Sequence, residues 1–265
     1  MNIEQRGIQL VEVIRSRDNK TIKEIKKLHE RKYRNLNKKF IVEGQRIVKE
    51  ALESDFEIEY VIIDENIQGK FNDLSINNEC LLIVSETVFK DVCDTKMPQG
   101  ILAIVKNKQV VAEACDGFYV LLDKVQDPGN MGTIIRTANA AGANGVILTK
   151  GTVDVYNEKT LRSTMGSIFK IPIIIDENLK FVSELKCSGF KLICSSLDTD
   201  KNFYGVNLNE NVIIAVGNEG NGISDEIYEI SDEKVKIPMP GSAESLNVGI
   251  AAGIMMFEVV RQKNS

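Results

Sequence analysis

Apolar positions recur along this chain in two rhythms, a helical one and a continuous one, and their succession divides it into two blocks. In the first block, residues 20 to 34 read as a helix and KKFIVEG (38 to 44) as a strand closing at Gly44. QRIVKEALES reads as a second helix with Ile47, Val48, Ala51 and Leu52 on its apolar side. YVIID, LLIVS and GILAIVK are short runs rich in β-branched residues, which predicts strands, with ETVFKDVCD helical between the last two. The pattern predicts a small α/β domain over residues 1–106. NKQVVAEACDG, residues 107–117, interrupts it and is assigned as a linker. In the second block, residues 118–265, the runs FYVLLDKV, GVILT, PIII, FKLICSS and NVIIAVG alternate with amphipathic segments. Uninterrupted apolar runs are what strands buried on both faces of a parallel sheet look like, so the second domain is also α/β.

Glycines and polar residues of this block gather in the loops after strands, where parallel α/β sheets bind ligands. The segment VQDPGNMGTIIRTANAAG (125–142) turns sharply at Asp127-Pro128-Gly129-Asn130 and then opens a helix carrying Arg136 about one and a half turns in. Helix starts offer unpaired N–H groups to anions. The pattern is neither GxGxxG nor GxxxxGK[ST], which weakens the case for a dinucleotide dehydrogenase or a P-loop NTPase. A second loop, VGNEGNGIS (216–224), sets three glycines around Asn218, Glu219 and Asn221. A third, IPMPGSAESLNVGIAAG (237–253), leads into a helix for which Ser245 is the expected N-cap. That helix, LNVGIAAGIMMFEVV, is apolar nearly all round, so it needs burial within one subunit or at a dimer contact, and a contact is the favoured reading.

Composition narrows the chemistry. The chain has 265 residues, 43% hydrophobic and 27% charged, and contains one histidine. His29 lies in the highly charged KKLHERK and reads as a solvated surface group, so neither a Ser-His-Asp mechanism nor a His-ligated metal is expected. Five widely spaced cysteines without a CxxC pair indicate no disulfide framework and no zinc site, and they read as buried thiols. MNIEQRGIQL lacks the layout of a signal peptide, and no stretch approaches the roughly 20 apolar residues of a membrane span, so a cytoplasmic protein is expected.

Net charge is −5, which alone argues against a nucleic-acid partner, but its distribution reverses the inference. Between Arg15 and Lys49 stand 13 Lys/Arg against four Asp/Glu, a surplus of nine that leaves the rest of the chain at −14. This reads as a footprint for phosphates, with a solvated basic helix face as the alternative. Arg31, Arg34, Lys38, Lys39 and Arg46 are its candidate contacts. Few aromatic residues accompany them, so backbone contacts are expected over base stacking.

The three loops together, in this order, resemble the SpoU (TrmH-like) branch of the SPOUT RNA methyltransferases. DPGNMGTIIRTANAAGANGVIL is similar to the family's first motif, AVGNEGNGIS to its second and IPMPGSAESLNVGIAAGIMMFE to its third. EKTLRSTMGSIFKIPI resembles the segment that places an Arg-x-Ser near RNA, here Arg162 and Ser163. RKYRNLNKKFIVEGQRIVKEAL looks like the L30e-like substrate-binding domain that many members carry at the amino terminus.

The resemblance implies transfer of a methyl group from S-adenosylmethionine to a ribose 2′-oxygen of RNA. Its implied substrate is 23S ribosomal RNA, with transfer RNA as the alternative. It further implies a parallel-sheet domain with a trefoil knot, contrary to the general rule against knots, and a homodimer through the carboxyl-terminal domain. It assigns Asn130, Arg136, Glu219, Ser245 and Asn247 to catalysis, and Leu197, Gly217, Ile237 and Leu246 to the cofactor; no metal is needed. Guanidinium hardly ever gives up its proton, so Arg136 is assigned to an RNA phosphate and a developing alkoxide, with the base left open. Asn130 is expected to orient the ribose through both amide functions, and Glu219 to position Arg136 or the loop. A non-catalytic RNA-binding protein of the same fold and a nucleotide-dependent oxidoreductase are the rival readings.

Overall fold

A computed structural model of the chain describes residues 12–108 and 113–265. The stretch 1–10, read above as unlike a signal peptide, and the middle of the expected linker, 109–112, lie outside the described residues. The chain divides into two compact units at Lys108/Gln109.

The first unit carries strands β1 (Lys39–Glu43), β2 (Ile58–Asp64), β3 (Leu81–Val84) and β4 (Ile101–Lys106) in the order β1-β4-β2-β3. β4 runs antiparallel to both β1 and β2, while β3 lies parallel to β2. One face of the sheet, with Ile41, Ile62, Leu102 and Ile104, packs against Ile22 and Ile25 of α1 (Lys20–Lys27) and Val88 and Phe89 of α4 (Glu86–Val92). The neighbours in sequence, among them Phe40, Val61, Ala103 and Val105, point the other way and are equally buried. α3 (Gln45–Leu52) contacts β1 and β4 and buries Ile47, Val48 and Ala51.

Three expectations are corrected, the first two in this unit. Residues 20–34 form two helices, because Glu30 is extended (φ −91°, ψ 130°) and a second helix, α2 (Arg31–Asn37), starts after it. The break is held by Arg34, whose guanidinium donates to the carbonyls of Leu28 at 2.8 Å and His29 at 2.6 Å, groups that the end of α1 leaves without helical partners. His29 is half-buried rather than solvated, with Nε2 3.0 Å from the Val92 carbonyl oxygen. Of the five thiols only Cys194 is buried; Cys115 and Cys187 are exposed.

The second unit is built on six parallel strands in the order β10-β8-β9-β5-β6-β7: β5 (Phe118–Leu122), β6 (Gly145–Leu148), β7 (Ile173–Ile175), β8 (Lys191–Ser195), β9 (Val212–Val216) and β10 (Glu233–Val235). β5 and β9, at the centre, are buried at every position. α7 (Lys180–Cys187) and α8 (Asp225–Ile230) cover one face through Phe181, Val182, Leu185 and Ile227. The opposite side carries α5 (Pro128–Ala140) against β6 and α9 (Val248–Lys263) against β9, with the two helices also packed on each other. α6 (Glu158–Thr164) packs on α5. Strand succession moves outward from β5 to β7, then restarts on the other side with β8. Chains that reverse this way leave a crevice at the carboxyl ends of the strands, here between β5 and β9.

Gly132 sets the approach of α5 to α6, since a Cβ there would lie 2.3 Å from Ser163 Cβ and 2.6 Å from the Thr160 carbonyl oxygen. Gly132→Ala is expected to lower stability by about 1–3 kcal/mol. Gly69→Ala, whose Cβ would meet nothing within 4 Å, should leave the urea midpoint nearly unchanged in the same experiment.

Candidate active site at the carboxyl edge of the parallel sheet

The turn after β5 exposes two backbone donors, the N–H groups of Gln126 and Asp127, and both point at one carboxylate. Glu219, in the loop after β9, accepts from Gln126 N through Oε2 and from Asp127 N through Oε1, each at 3.0 Å. Oε1 also accepts from Asn130 Nδ2 at 3.0 Å. Asn130 Oδ1 in turn accepts from Asn247 Nδ2 at 2.9 Å, and Asn247 Oδ1 accepts from the N–H groups of Gly249 and Ile250 at 2.9 and 3.3 Å. The orientation of both amides follows from the ends of this relay: backbone N–H groups only donate and a carboxylate only accepts. One directed chain of hydrogen bonds therefore joins the three sequence motifs.

Each loop is also pinned on its own. Asp127 caps α5 by accepting from Asn130 N at 2.8 Å, the main cause of its lowered carboxyl pKa, with Lys159 at 3.3 Å adding to it against the effect of burial. Asn218 Oδ1 accepts from Gly220 N and Asn221 N, and its Nδ2 donates to the Lys124 carbonyl at 3.0 Å. Gly217 permits the close return of that loop, since a Cβ would lie 2.2 Å from Gly222 C. Beneath them the buried carboxylate of Asp123 accepts from Thr149 Oγ1 at 2.9 Å and Ser224 N at 2.7 Å, tying the loops after β5, β6 and β9 together.

Partial burial pushes the Glu219 carboxyl up, but the donors Asn130, Gln126 and Asp127 outweigh it and hold the group below the usual glutamate value. Its contribution to folding is thus complete at neutral pH and is lost only as pH falls through the lowered value.

The structure sorts the candidate residues. Asn130, Glu219 and Asn247 are brought into one relay. Asn247, not Ser245, caps α9; Ser245 lies two residues earlier, exposed. Glu219 holds the loop and Asn130, and makes no contact with Arg136, which is exposed on α5 without a hydrogen bond or ion pair among the described residues. Because its carbonyl oxygen is engaged by Asn247, Asn130 offers a ligand mainly its second N–H rather than both amide functions. Leu197 and Ile237 lie just beyond the carboxyl ends of β8 and β10, Gly217 directly follows β9, and Leu246 immediately precedes the cap of α9. Leu197 is 56% exposed and Leu246 36%. The N–H groups of Leu197, Ile237 and Leu246 meet no backbone or side-chain acceptor among the described residues. Exposed apolar side chains beside unpaired main-chain groups suit a purine, which needs covered faces and a hydrogen-bonded edge.

On α6, Arg162 is exposed, and Ser163 Oγ donates to the Lys159 carbonyl. In the first unit Arg31, Lys38 and Arg46 are exposed. Arg34 is corrected: it is 5% exposed and its guanidinium serves the break after α1. Lys39 is half-buried, with Nζ 2.7 Å from Glu59 Oε1. Asp123 and Gln126 support the site without having been candidates in the sequence, and Asn218, named there only as part of its loop, holds that loop; Asp123 and Asn218 directly follow apolar runs or their closing glycine.

Residues 117–257 match the SpoU rRNA Methylase family, more than half of the chain. The chain belongs to that family. Residues 19–103 match the MRM3-like substrate binding domain. Among relatives of this SpoU protein is the 23S rRNA (guanosine(2553)-2′-O)-methyltransferase RlmP of Bacillus subtilis, 37% identical over 93% of this chain and 98% of the relative. An AdoMet-bound rRNA methyltransferase from Sinorhizobium meliloti superposes with a TM-score of 0.85 at 32% identity, covering 94% of this chain and 97% of that one. The SpoU methyltransferase AviRb from Streptomyces viridochromogenes, in complex with AdoMet, gives 0.84 at 26% identity over 93% and 99%. No helix among the described residues of the SpoU chain is long and apolar enough to cross a membrane.

A carbon-13 NMR titration should place the Glu219 carboxyl below the usual glutamate value in the wild type. In Asn130→Ala the midpoint should move up, because one donor to the ionised form is gone.

Proposed function

We propose that this SpoU protein methylates a ribose 2′-oxygen of 23S ribosomal RNA with S-adenosylmethionine as donor. The observation that carries the reading is the Glu219–Asn130–Asn247 relay, which draws the three motif loops to one edge of the sheet. Such a substrate puts the protein in the cytoplasm, where ribosomes are assembled.

When bound, S-adenosylmethionine supplies a sulfonium methyl already activated toward in-line displacement, so alignment and exclusion of water are what the chain must add. Leu197, Gly217, Ile237 and Leu246 hold the donor through apolar contact and main-chain groups. Asn130 directs its remaining N–H at the ribose, and Asn247 keeps that amide in register. Arg136 stays protonated, binds the phosphate beside the target nucleotide and stabilises negative charge on the 2′-oxygen. Ser245 lines the hydroxyl pocket, and Arg162 and Ser163 contact RNA from α6. The first unit contributes Arg31, Lys38 and Arg46 as phosphate contacts. The trefoil knot belongs to the same reading.

The protein acts as a homodimer through α9. Ile250 is 55% exposed and Phe257 50%, and Gly253 and Ile254 between them are half-buried, so one stripe of this helix stays apolar and wet in the single chain. A second copy covers it, next to α5, whose Thr133 and Thr137 approach Gly249 and Gly253.

Ribose-methylation mapping in a strain lacking the gene should show one mark missing from 23S ribosomal RNA, and loss confined to transfer RNA would refute the substrate. Guanosine 2553, named for the B. subtilis relative, is the first position to read. Arg136→Ala should lower methyl transfer by about 10²–10³-fold, on the scale of removing a transition-state donor, while calorimetric affinity for S-adenosylmethionine holds. Phe257→Glu should sediment as a monomer where the wild type sediments as a dimer.

A further inference from the structure

The second unit neutralises many of its cations. Lys159, Lys186, Lys191, Lys201 and Arg261 each lie 2.6–3.3 Å from a carboxylate, and Lys234 sits 4.3 Å over the Tyr228 ring. Lys124 and Lys150 are exposed and have no ion pair among the described residues, as is also true of Arg136 and Lys263; half-buried Lys236 has none there either. Lys124 follows the end of β5 and Lys150 the end of β6, and these are neighbouring strands. The Lys124 side chain runs beside Gly151, whose built Cβ would meet its Cγ at 3.5 Å.

Lys124 is also held in a backbone conformation that an L residue adopts at a cost. Its φ is 55°, in the left-handed region, where glycine would sit without strain. Three hydrogen bonds impose it: Lys124 N donates to Thr149 Oγ1 at 3.2 Å, and its carbonyl accepts from Gln126 Nε2 at 3.1 Å and Asn218 Nδ2 at 3.0 Å. Gln126 Nε2 also donates to the Gly151 carbonyl at 2.6 Å, locking the two lysine-bearing loops together. Gln126 N is one of the Glu219 donors, so this lock is continuous with the relay. Strain held by surrounding bonds at the rim of a site points to the side chain that the strained backbone presents.

We propose that Lys124 and Lys150 form a two-point clamp for the phosphates of the RNA strand that enters the site from the β6 side. The inference rests on the methyltransferase reading and names a substrate contact within it. An RNA backbone is the ligand favoured over the methyl donor for two reasons. Of the candidate donor residues, Leu197 and Ile237 follow β8 and β10, on the far side of β9 from β6, and Gly217 and Leu246 lie in the relay loops themselves, none of them on the β6 side. The donor is itself a sulfonium cation, which two ammonium groups repel.

Lys124→Gly removes the ammonium and relaxes the backbone, so loss of function in it is not loss of folding; its urea midpoint should hold or rise. The test is Lys124→Gly/Lys150→Gln in the full chain, with unmodified 23S ribosomal RNA transcript as the probe. Every phosphate that the protein no longer neutralises lowers the slope of log K against log salt by about 0.7–0.9, so the slope for RNA binding should fall by about 1.4–1.8. The RNA KM should rise by about tenfold, the affinity for S-adenosylmethionine should hold, and Lys124→Arg should retain RNA binding. An unchanged slope, a loss of donor affinity in place of RNA affinity, or no RNA binding by the wild type overturns the clamp. Wild-type binding with the expected change of slope, but without methyl transfer, upholds the clamp and refutes the methyltransferase reading.

Discussion

The Glu219 carboxylate, reaching from the loop after β9 to the turn after β5, is the interaction on which the rest of the site depends. Gln126 N and Asp127 N belong to a turn that runs into a Pro-Gly pair, so no helix or strand partner takes them up. An ionised carboxylate meets both donors and still has an oxygen for Asn130. Those same donors lower its pKa, so the clasp is charged at neutral pH. Asn130 then has a fixed amide orientation, which decides that of Asn247, and Asn247 decides where α9 begins. A single ionic clasp thus sets the positions of three segments separated by about 90 and 117 residues in sequence.

The sheet makes the clasp possible. All six strands are parallel, so every strand delivers its following loop to the same edge, and the adjacency of β5 and β9 puts the first two motif loops side by side. Asp123, buried below the turn, performs a second coupling by joining Thr149 and Ser224 to the end of β5. The surface above has the character the chemistry asks for. It combines apolar side chains beside free main-chain groups after β8 and β10, an uncommitted guanidinium on α5, and ammonium groups after β5 and β6. A methyl donor that carries its own activation requires little more than alignment from such a surface.

The strands were legible in the sequence because their burial on both faces makes them continuous apolar runs; FYVLL and VIIAV could scarcely be anything else. β10 was not, since EKV is a three-residue edge strand with two charged positions. The break between α1 and α2 escaped because its cause is Arg34, a charged residue that local spacing assigns to solvent and the fold turns inward onto two carbonyls. Part of the basic stretch is committed within the fold for a similar reason. Arg15, Lys26 and Lys39 find Glu65, Asp91 and Glu59, partners 50, 65 and 20 residues away, which no local charge tally registers. In the site, the residue types of the motifs were legible but their connections were not. Ser245 and Asn247 are both good capping residues, and only the packed helix start shows that the amide takes the role. Glu219 pairs with backbone N–H groups, which carry no sequence signature at all.

The central claim is that the three loops act as one unit through the relay. It is tested most directly by a double-mutant cycle on the single-turnover rate of methyl transfer with Asn130→Ala, Asn247→Ala and their combination. The account predicts a combined variant no slower than the worse of the two single variants, because either change already breaks the same chain of hydrogen bonds. Two losses that multiply would show that the residues act independently, and would contradict it.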